Sequence, residues 1–478
     1  MSGTFLWHDY ESFGASPRLD RPAQFAAIRT DAELREIGQP VDLYCRPALD
    51  VLPQPDACRI TGITPQMAEE RGLDEPDFIA AVLGHLGAPG TCGVGYNSFR
   101  FDDELTRHTA WRNFHDPYAR EWQNGCSRWD LIDTVRMTYA LRPDGIEWPR
   151  REDGHPSFRL EHLAAANGLE QEKAHDAVSD VRATIALARL VRDRQPRLWQ
   201  WVLDNRSRAA AWKLLDPKRG EPVVHVSARF PAEFGCLSLV LPIAVHPSNK
   251  NAVLCADLRH PPDDLLALDA DDLADRLFTP AADLPEGVGR VAVKAVHVNR
   301  APVLAPAATV SAAQAERLRL DLAACRRHAE ELRAHAADVA VRLVQAYAQS
   351  AFEDAGDPEQ NLYGRFVDNA DRRVCEQILA LSPAEIADFE PRFADRRLEE
   401  LWFRWRGRHY PEALDEVERE EFARWQAKRI TYAPDGGLTL DEFEAVVAAQ
   451  LADGPDLDGA RVLADLEAWG RRLRALVE

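Results

Sequence analysis

The chain has 478 residues, of which 46% are hydrophobic and 28% charged, a composition typical of water-soluble globular proteins and long enough for about three domains. No segment reaches the roughly eighteen consecutive apolar residues of a membrane-spanning helix, so we expect no membrane segment. The formal net charge of −20 excludes a uniformly basic nucleic-acid-binding surface, because phosphate contacts normally require a basic footprint. Any nucleic-acid site would have to be a local groove.

The N-terminus and the cysteines indicate a cytoplasmic protein. The first residues, MSGT, lead directly into the first predicted strand and leave no room for the charged, apolar and cleavage regions of a signal peptide. The eight cysteines include no C-x-x-C pair, which argues against a zinc knuckle or a redox pair. We therefore expect reduced thiols in the protein interior.

The first predicted strand, FLWHDYESFG at residues 5–14, carries two acids on one face. Side chains alternate along a strand, so Asp9 and Glu11 point the same way, with their Cα atoms about 6.5 Å apart. Like charges this close repel unless a cation lies between them. A bound metal is one explanation, and solvated acids on an edge strand are the other. The positions of further acids are needed to decide between these two explanations.

The next segments predict an α/β domain. Two more strands, QFAAIRT and DLYCRP, follow the first, and a threonine cap with a following proline begins a helix in TPQMAEERG. A short buried strand is predicted for TCGVGY, and helices for FDDELTRHTAWRNF and AHDAVSDVRATIALARLV. A further helix, PSFRLEHLAAANG, would be capped by Ser157 and end at Gly168.

Beyond residue 195 the sequence pattern changes twice. Strands of a small barrel are predicted for EPVVHVSARF, CLSLVLPIAV, NAVLCADL and VAVKAVHV, with HPSNKN as a hairpin connection. After APVLAPAATVSAAQ the chain is almost wholly helical. The predicted domains are therefore residues 1–195, 196–349 and 350–478.

Two more acids and a histidine fall where they could join the first pair of acids. Asp102 lies where a buried strand gives way to a helix, and AHDAVSD supplies His175 and Asp180. Five residues separate His175 from Asp180, or about 140° on a helix. We therefore expect His175 in the preceding loop, where its ordinary pKa suits proton transfer; a packed or surface imidazole is the alternative. We expect three neighbouring acids to be caps or solvated helix residues: Asp103, Glu104 and Asp176.

The order D-x-E, N-x-x-x-F-D and H-x-x-x-x-D resembles the DEDDh exonuclease family. Longer segments resemble bacterial exonuclease I in all three predicted domains, among them HDYESFG, GYNSFRFDDE, AHDAVSDV, HPSNKNAV, VKAVHVNRAPVLA and DRRLEELWFRWRGRHYP. Generic DEDDh exonucleases lack the second and third domains. The resemblance implies an α/β ribonuclease H-like exonuclease domain, then a small SH3-like β-barrel domain and an α-helical C-terminal domain.

The resemblance also implies hydrolysis of single-stranded DNA in the 3′-5′ direction, releasing 5′-mononucleotides, in DNA repair and recombination. Two divalent ions suit phosphodiester hydrolysis, and hard oxygen ligands suit Mg²⁺, for which Mn²⁺ can substitute. We expect Asp9 and Asp180 to hold the tighter ion, with Glu11 orienting water or phosphate beside it. Asp102 would serve the second ion through water, and His175 would take a proton from the attacking water.

Contacts to the substrate and to a protein partner are implied by the same resemblance. Arg159 is either a phosphate clamp, which the resemblance favours, or an ordinary helix-surface arginine. Family members bind the acidic C-terminal tail of single-stranded-DNA-binding protein, and Arg142 and Trp201 are candidate contacts for that tail. We expect a monomer that contacts no membrane.

The basic block at residues 189–219 lies close to these partner candidates in sequence. A solvated helix face is its alternative interpretation. Glu221 stands where the family carries a lysine, which puts the partner pocket in doubt, although Lys218 and Arg219 could substitute.

Removal of many nucleotides in succession requires a channel with cations for the backbone and aromatic faces for the bases. Residues 96–129 and 396–410 mix aromatic and basic side chains in this way. Ordinary core aromatics with surface arginines are the alternative. Two other functions stay open from the residues alone: an exoribonuclease of the same chemistry, and a catalytically silent nucleic-acid-binding scaffold.

Overall fold

The computed structural model describes residues 3–169, 177–349 and 356–478. The backbone divides into two compact units. The first comprises Met1–Ser127, Glu172–Arg182 and Glu353–Glu478, and the second comprises Arg128–Gln171 and Ala183–Phe352. Among the helices of the described ranges, none combines the length and the apolar character that crossing a membrane requires.

The three predicted N-terminal strands are confirmed, and the first, β1 (Thr4–Ser12), is the central strand of the sheet of the first unit. It pairs antiparallel with β2 (Pro22–Thr30), which pairs antiparallel with β3 (Val41–Tyr44). On its other side, β1 pairs in parallel with β4 (Thr91–Gly95) from Thr4 to Trp7. The second half of β1 therefore extends past its pairing with β4, and this half carries Asp9 and Glu11.

The alternation along β1 separates an apolar core from the two acids. Leu6 and Tyr10 pack with Phe25 and Phe78 in a buried cluster on one face, whereas Asp9 and Glu11 lie on the other. The helices of the unit's N-terminal part are α1 (Pro55–Thr61), α2 (Pro65–Arg71), α3 (Glu75–Leu86) and α4 (Asp102–Arg112). The predicted cap of α2 is confirmed, because the Thr64 side chain accepts a hydrogen bond from the Met67 N–H.

Strand β5 (Ser127–Asp130) leads into the second unit, whose first helices are α5 (Leu131–Leu141) and α6 (Leu160–Ala166). Helix α6 begins later than predicted, and its N-cap residue is Arg159, not Ser157. The Ser157 hydroxyl instead contacts Nδ1 of His162 at 2.8 Å. The next helix, α7 (Ala177–Arg194), begins in the first unit and continues into the second from Ala183. It is followed by α8 (Pro196–Asn205) and α9 (Arg208–Leu214).

The second unit contains an antiparallel sheet in the order β10-β6-β7-β8-β9. Its strands are β6 (Val223–Val226), β7 (Leu237–Val245), β8 (Ala252–Asp257), β9 (Val293–His297) and β10 (Val303–Pro306). The four predicted strands and the HPSNKN connection are confirmed. The sequence pattern did not indicate β10, which is only four residues long and pairs with β6. The helices of this part are α10 (Asp263–Ala267), α11 (Ala270–Phe278), α12 (Ala312–Arg317), α13 (Leu322–Ala334) and α14 (Ala336–Ala348).

The C-terminal part of the chain is helical and belongs to the first unit. Its helices are α15 (Asn369–Ala380), α16 (Pro383–Ile386), α17 (Arg396–His409), α18 (Glu416–Tyr432), α19 (Leu440–Ala452) and α20 (Leu457–Val477). Helices α19 and α20 pack against α1 and α2 through a buried cluster that includes Phe443, Trp469, Cys58 and Ala68.

A buried charge cluster joins this helical part to the N-terminal strands. It consists of three acids and four arginines, which we refer to together by that name: Asp50, Asp357, Glu359, Arg21, Arg404, Arg408 and Arg429. Arg21 Nη2 lies 2.5 Å from Glu359 Oε2, and Arg404 Nη1 lies 2.6 Å from Asp357 Oδ2. Burial alone would raise the pKa of Glu359, but the surrounding guanidinium groups, led by Arg408, hold it well below its usual value.

The buried charge cluster should contribute strongly to stability. Replacement of Glu359 by Gln leaves the buried guanidinium groups without one of their anions, and we expect a loss of about 3 kcal/mol or more in the free energy of unfolding. Urea unfolding followed by tryptophan fluorescence measures this. The matched control is Glu69→Gln, which breaks the half-exposed Glu69–Arg472 pair between α2 and α20 and should change the value by about 1 kcal/mol at most. Equal losses in the free energy of unfolding in both variants would contradict this stabilising role of the buried charge cluster.

Candidate active site

Three carboxylates converge in the first unit. One ligand oxygen from each of Asp9, Glu11 and Asp180 lies within 4.8 Å of the others. All three side chains are half-buried, so they are screened from water but still accessible from outside. Within the described residues this is the one group of three or more metal-ligating side chains with such spacing. The structure therefore brings together three of the acids that the motifs singled out.

Backbone geometry accounts for the convergence. Asp9 and Glu11 share a face of β1 because strand side chains alternate, and they lie opposite Ala26 and Gln24 of β2. They follow the stretch of β1 that pairs in parallel with β4, and the carboxyl ends of such strands are where α/β sheets bind ligands. Asp180 comes from the first turn of α7.

The electrostatics of this group favour a bound cation. Burial raises the pKa of Asp9 well above its usual value, and the negative charges of Glu11 and Asp180 raise it further. The donor set consists entirely of carboxylate oxygens, which are the hard ligands that Mg²⁺ and Mn²⁺ prefer. A divalent ion between them would replace repulsion by attraction. The residues present therefore fit a divalent metal.

Asp102 lies directly beside this group but outside it. Its side chain is buried, and Oδ1 accepts a hydrogen bond of 3.1 Å from the N–H of Tyr10, the residue between Asp9 and Glu11. The turn before it is tight: a Cβ on Gly95 would lie 2.5 Å from that of Ser98. Asp102 thus fixes the start of α4 against the half of β1 that carries Asp9 and Glu11.

The acids that follow Asp102 are not solvated, contrary to our expectation. Asp103 is 1% exposed and pairs with the buried Arg120 at 2.5 Å. Glu104 pairs with Arg107 at 2.7 Å. The i,i+3 spacing of these two residues was the one signal in the local sequence for an ion pair within the helix. Both acids do lie in the first turn of α4, but the interpretation of them as solvated residues is wrong, because α4 is buried on nearly all sides. Asp176 lies outside the described residues, as does His175.

The remaining predicted site residues belong to the second unit. The Arg159 side chain is 71% exposed, and its Nη1 lies 3.8 Å from Glu161. Arg142 is exposed and donates from Nη1 to the Leu141 carbonyl, while the Trp201 Nε1–H donates to the Leu304 carbonyl. Glu221 pairs with Arg219 at 2.9 Å, so its carboxylate neutralises one of the cations that we expected to substitute for lysine.

The aromatic and basic segments belong mainly to the protein core. Arg112 is buried and pairs with Glu75, Phe114 and Trp405 are buried in one hydrophobic cluster, and Arg404 is part of the buried charge cluster. Trp122 differs from these, because it is 65% exposed. The aromatic residues are therefore mostly core side chains, as the alternative interpretation had it. That interpretation also placed the arginines on the surface, which is wrong for Arg112 and Arg404, because both are buried.

Family models match the chain in three parts. A model described as Exonuclease matches residues 6–188, one described as Exonuclease I SH3-like domain matches residues 206–349, and one described as Exonuclease I C-terminal domain matches residues 356–473. The predicted order of a ribonuclease H-like exonuclease domain, an SH3-like domain and a helical domain is confirmed. The exact domain bounds stay a prediction.

Curated proteins and solved structures resemble the chain over nearly its whole length. It is 46% identical to exodeoxyribonuclease I of Escherichia coli K12 over 437 residues, 91% of each chain. Exonuclease I from Methylocaldum szegediense is similar in structure, with a TM-score of 0.93, 47% identity and full coverage of both chains. A zinc-bound complex of E. coli exonuclease I with single-stranded DNA has a TM-score of 0.91 at 42% identity and covers 99% of this chain and all of its own.

A further similar structure contains an exonuclease I with single-stranded-DNA-binding protein (SSB) and an inhibitor. Its TM-score is 0.90 at 42% identity, and it covers 99% of this chain and 100% of its own.

Substitution of Asp9 by Asn should stabilise the protein in the absence of metal and abolish its stabilisation by metal. In chelator, Asp9→Asn should melt at a higher temperature than the native chain, because one of three repelling charges is gone. Saturating Mn²⁺ or Mg²⁺ should raise the melting temperature of the native chain by about 3 °C or more and leave that of the variant unchanged. Differential scanning fluorimetry measures both.

The control for this prediction is Asp42→Asn on β3, whose exposed carboxylate hydrogen-bonds to Gln24. With metal, the melting temperature of this variant should rise by as much as that of the native chain. An increase that survives in Asp9→Asn would remove Asp9 from the metal site.

Proposed function

This chain belongs to the exonuclease I family of nucleases, and we propose that it hydrolyses single-stranded DNA in the 3′-5′ direction, releasing 5′-mononucleotides. The observation that carries the proposal is the convergence of Asp9, Glu11 and Asp180 within 4.8 Å in the exonuclease domain. A similar structure with bound single-stranded DNA and zinc supports both the substrate and the use of a divalent metal. We further propose roles in DNA repair and recombination, as a cytoplasmic monomer.

Two divalent ions, Mg²⁺ with Mn²⁺ as a substitute, are the proposed cofactors, and when bound they supply a water of lowered pKa and stabilise the leaving oxyanion. Asp9 and Asp180 would hold the more tightly bound ion, and Glu11 would orient water or phosphate beside it. Asp102 would reach the second ion through water. The hydrogen bond from the Tyr10 N–H to Asp102 supports this arrangement, because it keeps the fourth carboxylate beside the other three.

His175 is the proposed general base, which takes the proton from the attacking water. This residue lies outside the described residues, so its role rests on the motif and on the family. Arg159 is the proposed phosphate clamp. Its guanidinium is exposed, and the 3.8 Å separation from Glu161 is longer than a hydrogen bond, which supports its availability for a phosphate.

The proposed protein partner is single-stranded-DNA-binding protein, through its acidic C-terminal tail. The similar structure containing that protein supports this proposal, and Arg142 and Trp201 are the candidate contacts. The Arg219–Glu221 ion pair weighs against a strongly cationic pocket, so we expect weaker tail binding than a lysine at position 221 would give.

Chelation and the loss of Asp9 should each abolish cleavage. With 5′-end-labelled substrates, the native chain should shorten single-stranded DNA from its 3′ end in Mg²⁺ and leave it intact in chelator. Asp9→Ala should bind the strand but not cleave it, because the metal ligand is lost and the cationic contacts are not. Asp42→Ala is the control that should keep native activity.

The rates at which the native chain cleaves duplex DNA and RNA of the same sequence distinguish between the competing functions. Faster cleavage of RNA than of DNA would favour an exoribonuclease. Cleavage that is indifferent to chelator would exclude the proposed chemistry.

Substitution of His175 by Ala should separate proton transfer from metal binding. We expect turnover to fall by about a hundredfold or more, whereas the rise in melting temperature with metal should stay as in the native chain. Single-turnover cleavage and scanning fluorimetry measure the two quantities. His260→Ala removes an imidazole that is 62% exposed and should change neither. A variant with native turnover and an altered metal response would show that His175 is not the base.

A further inference from the structure

Two consecutive residues of the short turn Ala119–Glu121 form ion pairs with the first half of α4. Arg120 Nη2 lies 2.5 Å from Asp103 Oδ1, and the Glu121 carboxylate accepts hydrogen bonds of 2.7 and 3.0 Å from the Arg107 guanidinium. Asp103 and Arg107 are four residues apart, so they lie on one face of the helix. An acid and a base of α4 are therefore each paired with the opposite charge from one short segment of the chain.

The two ion pairs differ in the contacts that support them. Arg107 also donates to Glu104 at 2.7 Å and to the Tyr363 hydroxyl at 3.0 Å, so it keeps these partners if Glu121 is lost. Arg120 is 3% exposed, and among the described residues Asp103 is the one carboxylate within ion-pair distance of it. Its Nε and Nη1 have no hydrogen-bond partner in that part of the chain. The Arg120–Asp103 pair is therefore the less replaceable of the two.

The Arg120 guanidinium lies behind β1, on the face opposite the one that carries the two acids. A Cβ on Gly93 of β4 would lie 3.5 Å from Arg120 Nη1 and 3.6 Å from His8 Nε2, and Gly93 pairs with Leu6 of β1. Leu6 and His8 share this face because strand side chains alternate. Burial lowers the pKa of His8 to about 4, and the charge of Arg120 lowers it further. The imidazole beside the guanidinium is therefore neutral.

The first turn of α4 is joined to β1 by two further contacts. The Tyr10 N–H donates to Asp102 Oδ1 at 3.1 Å. The Thr106 hydroxyl donates to the Asp102 carbonyl at 2.8 Å and lies 3.1 Å from the Tyr10 hydroxyl. Asp102 is therefore held through its side chain and its backbone, and it can move only with the turn that contains it. Asp103, the next residue, is where Arg120 holds the same turn.

We propose that Arg120 is a positioning residue of the active site: by pairing with Asp103 it fixes the first turn of α4, and with it the Asp102 carboxylate that would serve the second ion. Removal of Arg120 would leave a buried carboxylate without its cation, which is strongly unfavourable. The turn would have to shift until Asp103 reached water or another donor. This inference rests on the proposed function and adds to it a residue that acts from behind the sheet.

Mn²⁺ binding without turnover tests the role of Arg120. Titration followed by the electron paramagnetic resonance signal of the free ion, with thymidine 5′-monophosphate present, gives the affinities of the two ion sites in the full-length protein. In Arg120→Gln the weaker site should lose about tenfold or more in affinity, the range found when residues that orient metal ligands are removed. The tighter site should keep its native affinity, because Asp9 and Asp180 do not belong to α4.

Cleavage in Mg²⁺ provides a second readout. The Mg²⁺ concentration that gives half the maximal rate should rise by about tenfold or more in Arg120→Gln. The KM for a labelled oligothymidylate at saturating Mg²⁺ should stay at the native value, because the buried Arg120 does not contact the strand. A residue needed only for folding would not separate these two quantities.

The matched control is Glu121→Gln, which breaks the neighbouring ion pair of the same turn while Arg107 keeps Glu104 and Tyr363. Its two Mn²⁺ affinities should be native. Equal losses at the weaker site in Glu121→Gln and Arg120→Gln would overturn the inference, because the effect would then be general loosening of the turn. Native affinity at that site in a folded Arg120→Gln protein would also overturn it.

A second variant covers the case in which Arg120→Gln does not fold. Asp103→Leu/Arg120→Met leaves no unpaired buried charge, and apolar replacement of a whole buried pair is usually tolerated. It should still lose affinity at the weaker Mn²⁺ site, because apolar contacts lack the direction of an ion pair, and native affinity there would overturn the inference. Failure of the native chain to degrade single-stranded DNA in Mg²⁺ is a separate result that would reject the proposed function, since the Mn²⁺ titration needs no turnover.

Discussion

Repulsion among three carboxylates is the constraint on which the candidate active site depends. Asp9, Glu11 and Asp180 are held within 4.8 Å of one another, an arrangement that is unfavourable unless a cation is present. The sheet sustains it because Asp9 and Glu11 lie on one face of β1 while Leu6 and Tyr10 anchor the opposite face in the core. The packing energy of the unit thus holds acids in positions that they would not adopt alone.

Arginines are used both inside the protein and at its surface. In the first unit, Arg112 pairs with Glu75 and four arginines share the buried charge cluster. In the second unit, Arg229 and Arg300, which follow β6 and β9, are exposed. The overall charge of −20 therefore says little about where a polyanion can bind. An acidic surface elsewhere would also discourage nonproductive binding of the strand, since electrostatics guide encounter as well as affinity.

Local patterns predicted the elements well and the long-range contacts poorly. The period of two along residues 5–14 correctly placed Asp9 and Glu11 on one face, and Asp102 was correctly placed at the start of a helix. The hydrogen bond from Tyr10 to Asp102 spans 92 residues, and the pairing of Arg21 with Glu359 spans 338, so neither leaves a local signal. Asp103 was misjudged for the same reason, because its partner, Arg120, comes from a different segment of the chain.

The buried charge cluster also constrains the order in which the polypeptide can fold during synthesis. Arg21 and Asp50 leave the ribosome early, whereas Glu359, Arg408 and Arg429, their partners, are made near the end. Until those partners emerge, burial of the early charges would be strongly unfavourable. The segments that carry Arg21 and Asp50 can therefore reach their final packing only after the intervening part of the chain has been translated. A nascent chain with such incompletely packed segments is a natural client for chaperones.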